Sequence, residues 1–118
     1  MAIAQLIESV FSDIGIPGFF QVWRPTDEYP EMPDTYGVWL IQRESEALAA
    51  DDGEAIREID VTVHLVSKDD LTDVCERVRA SALRRNIAVL QVRNLDDVRN
   101  GDYQYHVRFD LVAYQFNI

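Results

Sequence analysis

The sequence predicts an α+β domain, with two helices on one face of a mostly antiparallel sheet of four to five strands. Three observations lead there. Two segments carry apolar residues at helical spacing, two long segments alternate apolar and polar residues, and the elements run helix, strand, strand, helix, strand, strand. A chain of 118 residues suits one hydrophobic core, so residues 1–118 are read as a single domain. At 47% hydrophobic residues, burial can offset chain entropy, which excludes a disordered chain. No internal repeat, low-complexity tract or linker divides it.

The first helix spans residues 3 to 14. Ile3, Leu6, Ile7, Val10, Phe11 and Ile14 share one face, while Gln5, Glu8, Ser9 and Ser12 fall outside it. Gly15 and Pro17 stop it. Phe19 to Trp23 is a short aromatic segment that reads as an edge strand. Arg24 to Asp34 holds Pro25, Pro30 and Pro33, so it is a loop. Tyr36 to Gln42 is a strand with Val38 and Leu40 on one face and Trp39 and Ile41 on the other. With both faces apolar, it is covered on both sides or meets a partner.

Arg43 to Ala55 is acidic and alanine-rich around Asp52-Gly53, and it reads as a loop longer than a tight hairpin needs. Residues 56 to 66 form the clearest strand, Ile59, Val61, Val63 and Leu65 alternating with Glu58, Asp60, Thr62 and His64. Ser67 and Asp70 have capping-box spacing before a second helix over about residues 69 to 85. Its expected buried stripe is Leu71, Val74, Cys75, Val78, Ala82 and Leu83, with acids near its start and Arg84 and Arg85 near its end. Ile87 to Val92 is a short strand, Asn94 to Asp102 a turn-forming stretch. Tyr103 to Tyr114 is a long final strand with Tyr103, Tyr105, Val107, Phe109, Leu111 and Ala113 on one face.

Charge and cysteine content narrow the function. Twenty-one acidic residues against 11 basic ones give a net charge of -10, which disfavours ordinary contacts with nucleic-acid phosphates or acidic membranes. The single cysteine allows no internal disulfide and no thiolate metal cage. The N-terminus has no basic start of a secretory signal, and no apolar run approaches the roughly 20 residues that span a bilayer.

The search for chemistry yields no active site and no cofactor. The five glycines are scattered and form no phosphate loop. Cys75 falls on a buried helical stripe, where cysteine serves as a small core residue. His64 and His106 lie on the polar faces of the two long strands and become neighbours if those strands pair. With Asp60, Asp110 or Glu58 they could hold zinc; the plainer reading is that alternation turns polar residues outward whatever their identity. What remains is a long acidic segment, a long final strand and aromatic residues on second faces, which suit an assembling protein. The assembly or lumen candidates are Glu44, Glu46, Asp51, Asp52 and Glu54; the interface candidates are Trp39, Ile41, His64 and His106.

One stretch carries a resemblance. An acidic turn (Asp51, Asp52, Gly53, Glu54), the alternating strand from Ile59 to Val66, Ser67-Lys68-Asp69 and the helix to Arg85 together resemble the tail-completion, or tail-terminator, proteins of long-tailed bacteriophages. The closing run of Asp102, Tyr103 and Tyr105-His106-Val107-Arg108-Phe109 is similar to that family's last strand. The resemblance covers about residues 35 to 116. It implies a virion protein, assembled in the host cytoplasm, whose subunits form a ring, usually of six, at the head-proximal end of the tail tube. Its implied partners are copies of itself, the tube protein and the head or neck connector, with genomic DNA passing through unbound. A surplus of acids suits such a conduit, because a negative lumen repels the duplex. The alternatives are a neck or head–tail connector subunit, a small metal- or ligand-binding domain built on His64 and His106, and a hydrolase subunit completed by a partner.

Overall fold

The computed structural model describes residues 3–49, 55–96 and 101–117, with side chains described except at 46–49, 55, 56 and 115–117. The order is α1 (Ile3–Ile14), β1 (Gly18–Phe20), β2 (Thr35–Ala49), β3 (Ala55–Ser67), α2 (Thr72–Arg84), β4 (Ala88–Asn94) and β5 (Tyr105–Asn117). The strands form one five-stranded mixed sheet in the order β1-β2-β3-β5-β4. All its pairings are antiparallel except β1 with β2.

The α+β class and the two helices agree with the sequence reading, and the parallel edge strand is the departure from it. Gly18 and Gly37 are partners in that parallel pair. A β-carbon built on either would meet the Phe11 ring, at 2.4 Å for Gly18, so only glycine lets α1 lie this close to the sheet edge. That closeness seats Phe11, 5% exposed, in the core.

Both helices pack on the face formed by Ile59, Val61, Val63 and Leu65 of β3 and Val107, Phe109, Leu111 and Ala113 of β5. Cross-strand partners such as Val63 and Phe109, or Leu65 and Val107, keep that face continuous. From α1, Ile7, Val10, Phe11 and Ile14 enter the core; from α2, Val74, Val78 and Ala82, with Leu71 just before it. Leu83, expected on the buried stripe, is 79% exposed. It lies one residue past Ala82, and so about 100° around the helix from the core-facing line. Val63→Ala is expected to cost about 1–3 kcal/mol through lost contacts and the cavity left behind. An unchanged melting curve would contradict its burial.

The helix ends show why the chain turns where it does. Gly15, at φ 71°, terminates α1: its N–H reaches Ser12 and the Ile16 N–H reaches Phe11. Asn86, at φ 57°, does the same for α2, its N–H bonding Leu83 and the Ile87 N–H bonding Ala82. Both are Schellman closures, and asparagine is the residue that best replaces glycine there. The N-terminus of α2 differs from the expected capping box. Leu71 is the N-cap and makes no side-chain cap. Ser67 instead bonds Thr35 at 2.6 Å and the Asp69 N–H at 2.9 Å, while Asp70 accepts from the Thr72 N–H. The helices are tied together by Asp13, which accepts from Ser81, Arg84 and Arg85. These donors, Ser81 first, hold its carboxyl below the usual aspartate range.

Arg43 to Ala55 is not one long loop. β2 continues to Ala49 and β3 begins at Ala55, with pairs running from Arg43–Asp60 to Ala49–Ala55. β5 lies along the same stretch of β3, out to the pair Ala55–Asn117. The sheet therefore extends as a three-stranded arm, and the molecule measures 53 × 30 × 22 Å.

Candidate functional site

The sheet face opposite the helices carries the polar residues of both long strands. On β3 these are Glu58, Asp60, Thr62 and His64, and on β5 His106, Arg108 and Asp110. Pairing of β3 with β5 places His64 across from Arg108 and His106 across from Val66, so the two histidines are diagonal neighbours. His64 Nδ1 and His106 Nε2 are 2.8 Å apart, a hydrogen bond in which one ring donates and the other accepts. Beside them Arg108 Nε donates to Asp110 at 2.9 Å, and Thr62 reaches the same carboxylate oxygen at 3.5 Å. The sequence expectation that the histidines meet through strand pairing is met.

Their electrostatics favour neutral rings. Burial is the main cause holding both histidines below their usual range, reinforced at His64 by His106 and Arg108 and opposed at His106 by Asp96. Protonating both would set two donors against each other and break the bond. Because the folded-state values lie below the unfolded value of about 6.5, the unfolded chain takes up protons first as the pH falls. The pair's contribution is therefore full above about pH 6.5 and is lost as the pH drops toward the folded-state values. The His64→Ala/His106→Ala double variant is expected to keep the fold and to show a flatter decline of melting temperature between about pH 7.5 and 5. An unchanged slope would contradict this account of the pair.

The other candidates separate. Trp39, 3% exposed, lies in the core on the helix-covered face and offers no surface to a partner, while Ile41, on the same face, is partly buried and packs against that core. Strand parity decides it: Trp39 pairs with the core residue Val63 and Ile41 with Val61. The positions on the helix-free face are Val38 and Leu40, both half-buried. Glu44 is exposed on the arm, and Glu46 lies in β2 across from Arg57. Asp51, Asp52 and Glu54 fall outside the described residues.

Among the described residues no three His, Cys, Asp or Glu side chains gather as metal ligands would. Each histidine also spends one ring nitrogen on the other. Cys75 is half-buried on α2, and burial raises its thiol pKa, away from a reactive thiolate. Among the described residues no helix is long and apolar enough to cross a membrane. No protein-family model matches the chain, and no curated protein matches it.

Two surface features escaped the sequence reading. Leu90, inside an apolar run, is 66% exposed, because β4 has a register shift between Val89 and Gln91 that leaves it without a partner on β5. A cleft of about 770 Å³ opens beside β1, between the end of α1 and residues 26–29. Phe11, Phe19 and Tyr29 line it together with Glu8, Asp27 and Glu28. No periodic pattern marks such a cleft, because it forms where residues 26–29 fold back toward the end of α1 and β1.

Proposed function

We propose that this chain is a non-enzymatic structural subunit of a bacteriophage tail. It forms a ring, hexameric in this reading, at the head-proximal end of the tail. The ring ends polymerisation of the tube, joins the tail to the head or neck, and leaves a lumen through which DNA passes. The observation that carries the reading is the β2–β3–β5 arm. Strands of 15, 13 and 13 residues are far longer than a small core requires. The arm beyond Arg43 and Asp60 spans roughly 20 Å at the usual strand rise. An extension of that kind suits contact with a neighbouring subunit or with the tube.

Charge and surface support the same reading. Five acids fall between Glu44 and Glu54 in the sequence, and repetition around a closed axis multiplies them into a negative belt. A helix-free face with a satisfied histidine pair and half-buried Val38 and Leu40 fits an interface better than a catalytic surface. A head–tail connector subunit would use the same features, and the station along the particle separates the two. Native mass measurement of the purified protein tests the ring: a discrete closed oligomer is expected. A monomer at every concentration that also fails to bind tail tubes would contradict the proposal.

A further inference from the structure

The two sides of the sheet differ in charge. On the β1–β2 side, the described residues from Asp27 to Glu46 include Asp27, Glu28, Glu31, Asp34, Glu44 and Glu46 against the single base Arg43. Through α2 and β4, from Arg77 to Leu95, the chain contains Arg77, Arg79, Arg84, Arg85 and Arg93 and no acid. Arg77, Arg84 and Arg85 are engaged within the subunit by Asp73 and Asp13. Arg79 and Arg93 are exposed and make no ion pair among the described residues. Arg93 stands across from Arg108, which is already paired with Asp110, so Arg93 remains open to an outside carboxylate. Asp27, Glu28 and Glu31 are likewise exposed, without an ion pair among the described residues.

Shape follows charge. The basic side presents Leu90 as an apolar knob on edge strand β4, three residues from Arg93. The acidic side presents the cleft beside edge strand β1, with Phe11, Phe19 and Tyr29 in its walls and Glu8, Asp27 and Glu28 among its lining. Half-exposed Phe20 and Val22 adjoin it. A bulge interrupts β4 and β1 is only three residues long, so neither edge offers a long unbroken main-chain ladder, and contact through side chains is favoured.

We infer that the occupant of the cleft is a second copy of this chain: Leu90 of one subunit enters the cleft between α1, β1 and residues 26–29 of the next, with Arg93 and Arg79 against Asp27 and Glu28. A knob on one side and a socket on the other make a head-to-tail contact, which closes into a ring when its rotation closes. This inference deepens the ring reading and rests on it for the closure alone.

Sedimentation velocity of the full chain over a range of concentration and salt tests it. Association of the wild type should weaken as salt rises. Leu90→Asp should weaken it about tenfold or more, as should Asp27→Arg/Glu28→Arg, with melting curves close to wild type because these residues are exposed. Arg79→Glu/Arg93→Glu should also weaken it, and mixing that variant with Asp27→Arg/Glu28→Arg should restore association, because the reversed charges again oppose. Wild-type assembly left unchanged by all three variants would overturn this contact and leave the ring reading standing. Assembly through this contact into open chains would support the contact and contradict the ring. A strictly monomeric wild type would overturn the contact outright.

Discussion

Phe109→Ala is expected to lower the stability of the fold by about 3–5 kcal/mol, the largest effect of any single truncation in this core. Phe109 is fully buried at the middle of β5, across from Val63 on one side and Val92 on the other. Its ring lies under both helices, so no flexible neighbour can collapse into the space. The loss combines the transfer of the removed atoms with a cavity lined by side chains that remain. In thermal unfolding the melting temperature should fall by about 10 °C or more. A shift of only a degree or two would mean that the β3–β5 face is not the centre of the core.

The second large effect concerns assembly. Changing Asp51, Asp52 and Glu54 to lysine is expected to leave the melting curve nearly unchanged, since charges of an acidic turn contribute little to stability. Each exchange adds two charges, so the subunit moves from -10 to -4, and a ring carries that difference many times over. The lysine protein should gain DNA affinity, and that affinity should fall about tenfold or more between about 50 and 200 mM salt. In a complementation assay, infectivity should drop sharply because the duplex is held in its passage. Full infectivity with no gained DNA binding would remove these residues from the lumen. Failure to form rings would place them at the subunit contact instead.

What the sequence disclosed follows from where water is. Ile59 to Leu65 and Tyr105 to Ala113 alternate because helices cover one face of each strand, and that pattern was legible before any contact was known. Arg43 to Ala49 pairs with β3 yet shows no period-2 alternation of apolar and polar residues, so this part of the strand reads as a polar loop. β1 is only Gly18–Phe20, and its parallel pairing depends on Phe11 packing over Gly18 and Gly37, a tertiary contact without a local signature. Ser67 matched a capping position but is committed to Thr35 across β2 and β3.

The candidate site was partly legible for the same reasons. Outward parity placed His64 and His106 on one face, and the register of β3 against β5 then made them a bonded pair. Alternation separates Val38 and Leu40 from Trp39 and Ile41 but cannot say which of these two apolar faces the helices cover, so Trp39 and Ile41 read as interface candidates. The bulge that exposes Leu90 depends on the pairing of β4 with β5, and the cleft beside β1 on how residues 26–29 fold back toward α1. Neither leaves a trace in spacing or composition.

The central claim, that this subunit caps a growing tail tube, is tested most directly by polymerising tail tubes with and without the purified protein and imaging them in negative stain. The account predicts a ring of density at one end of each tube and no further elongation from that end. Tubes that grow to the same length with bare ends in both samples would contradict it.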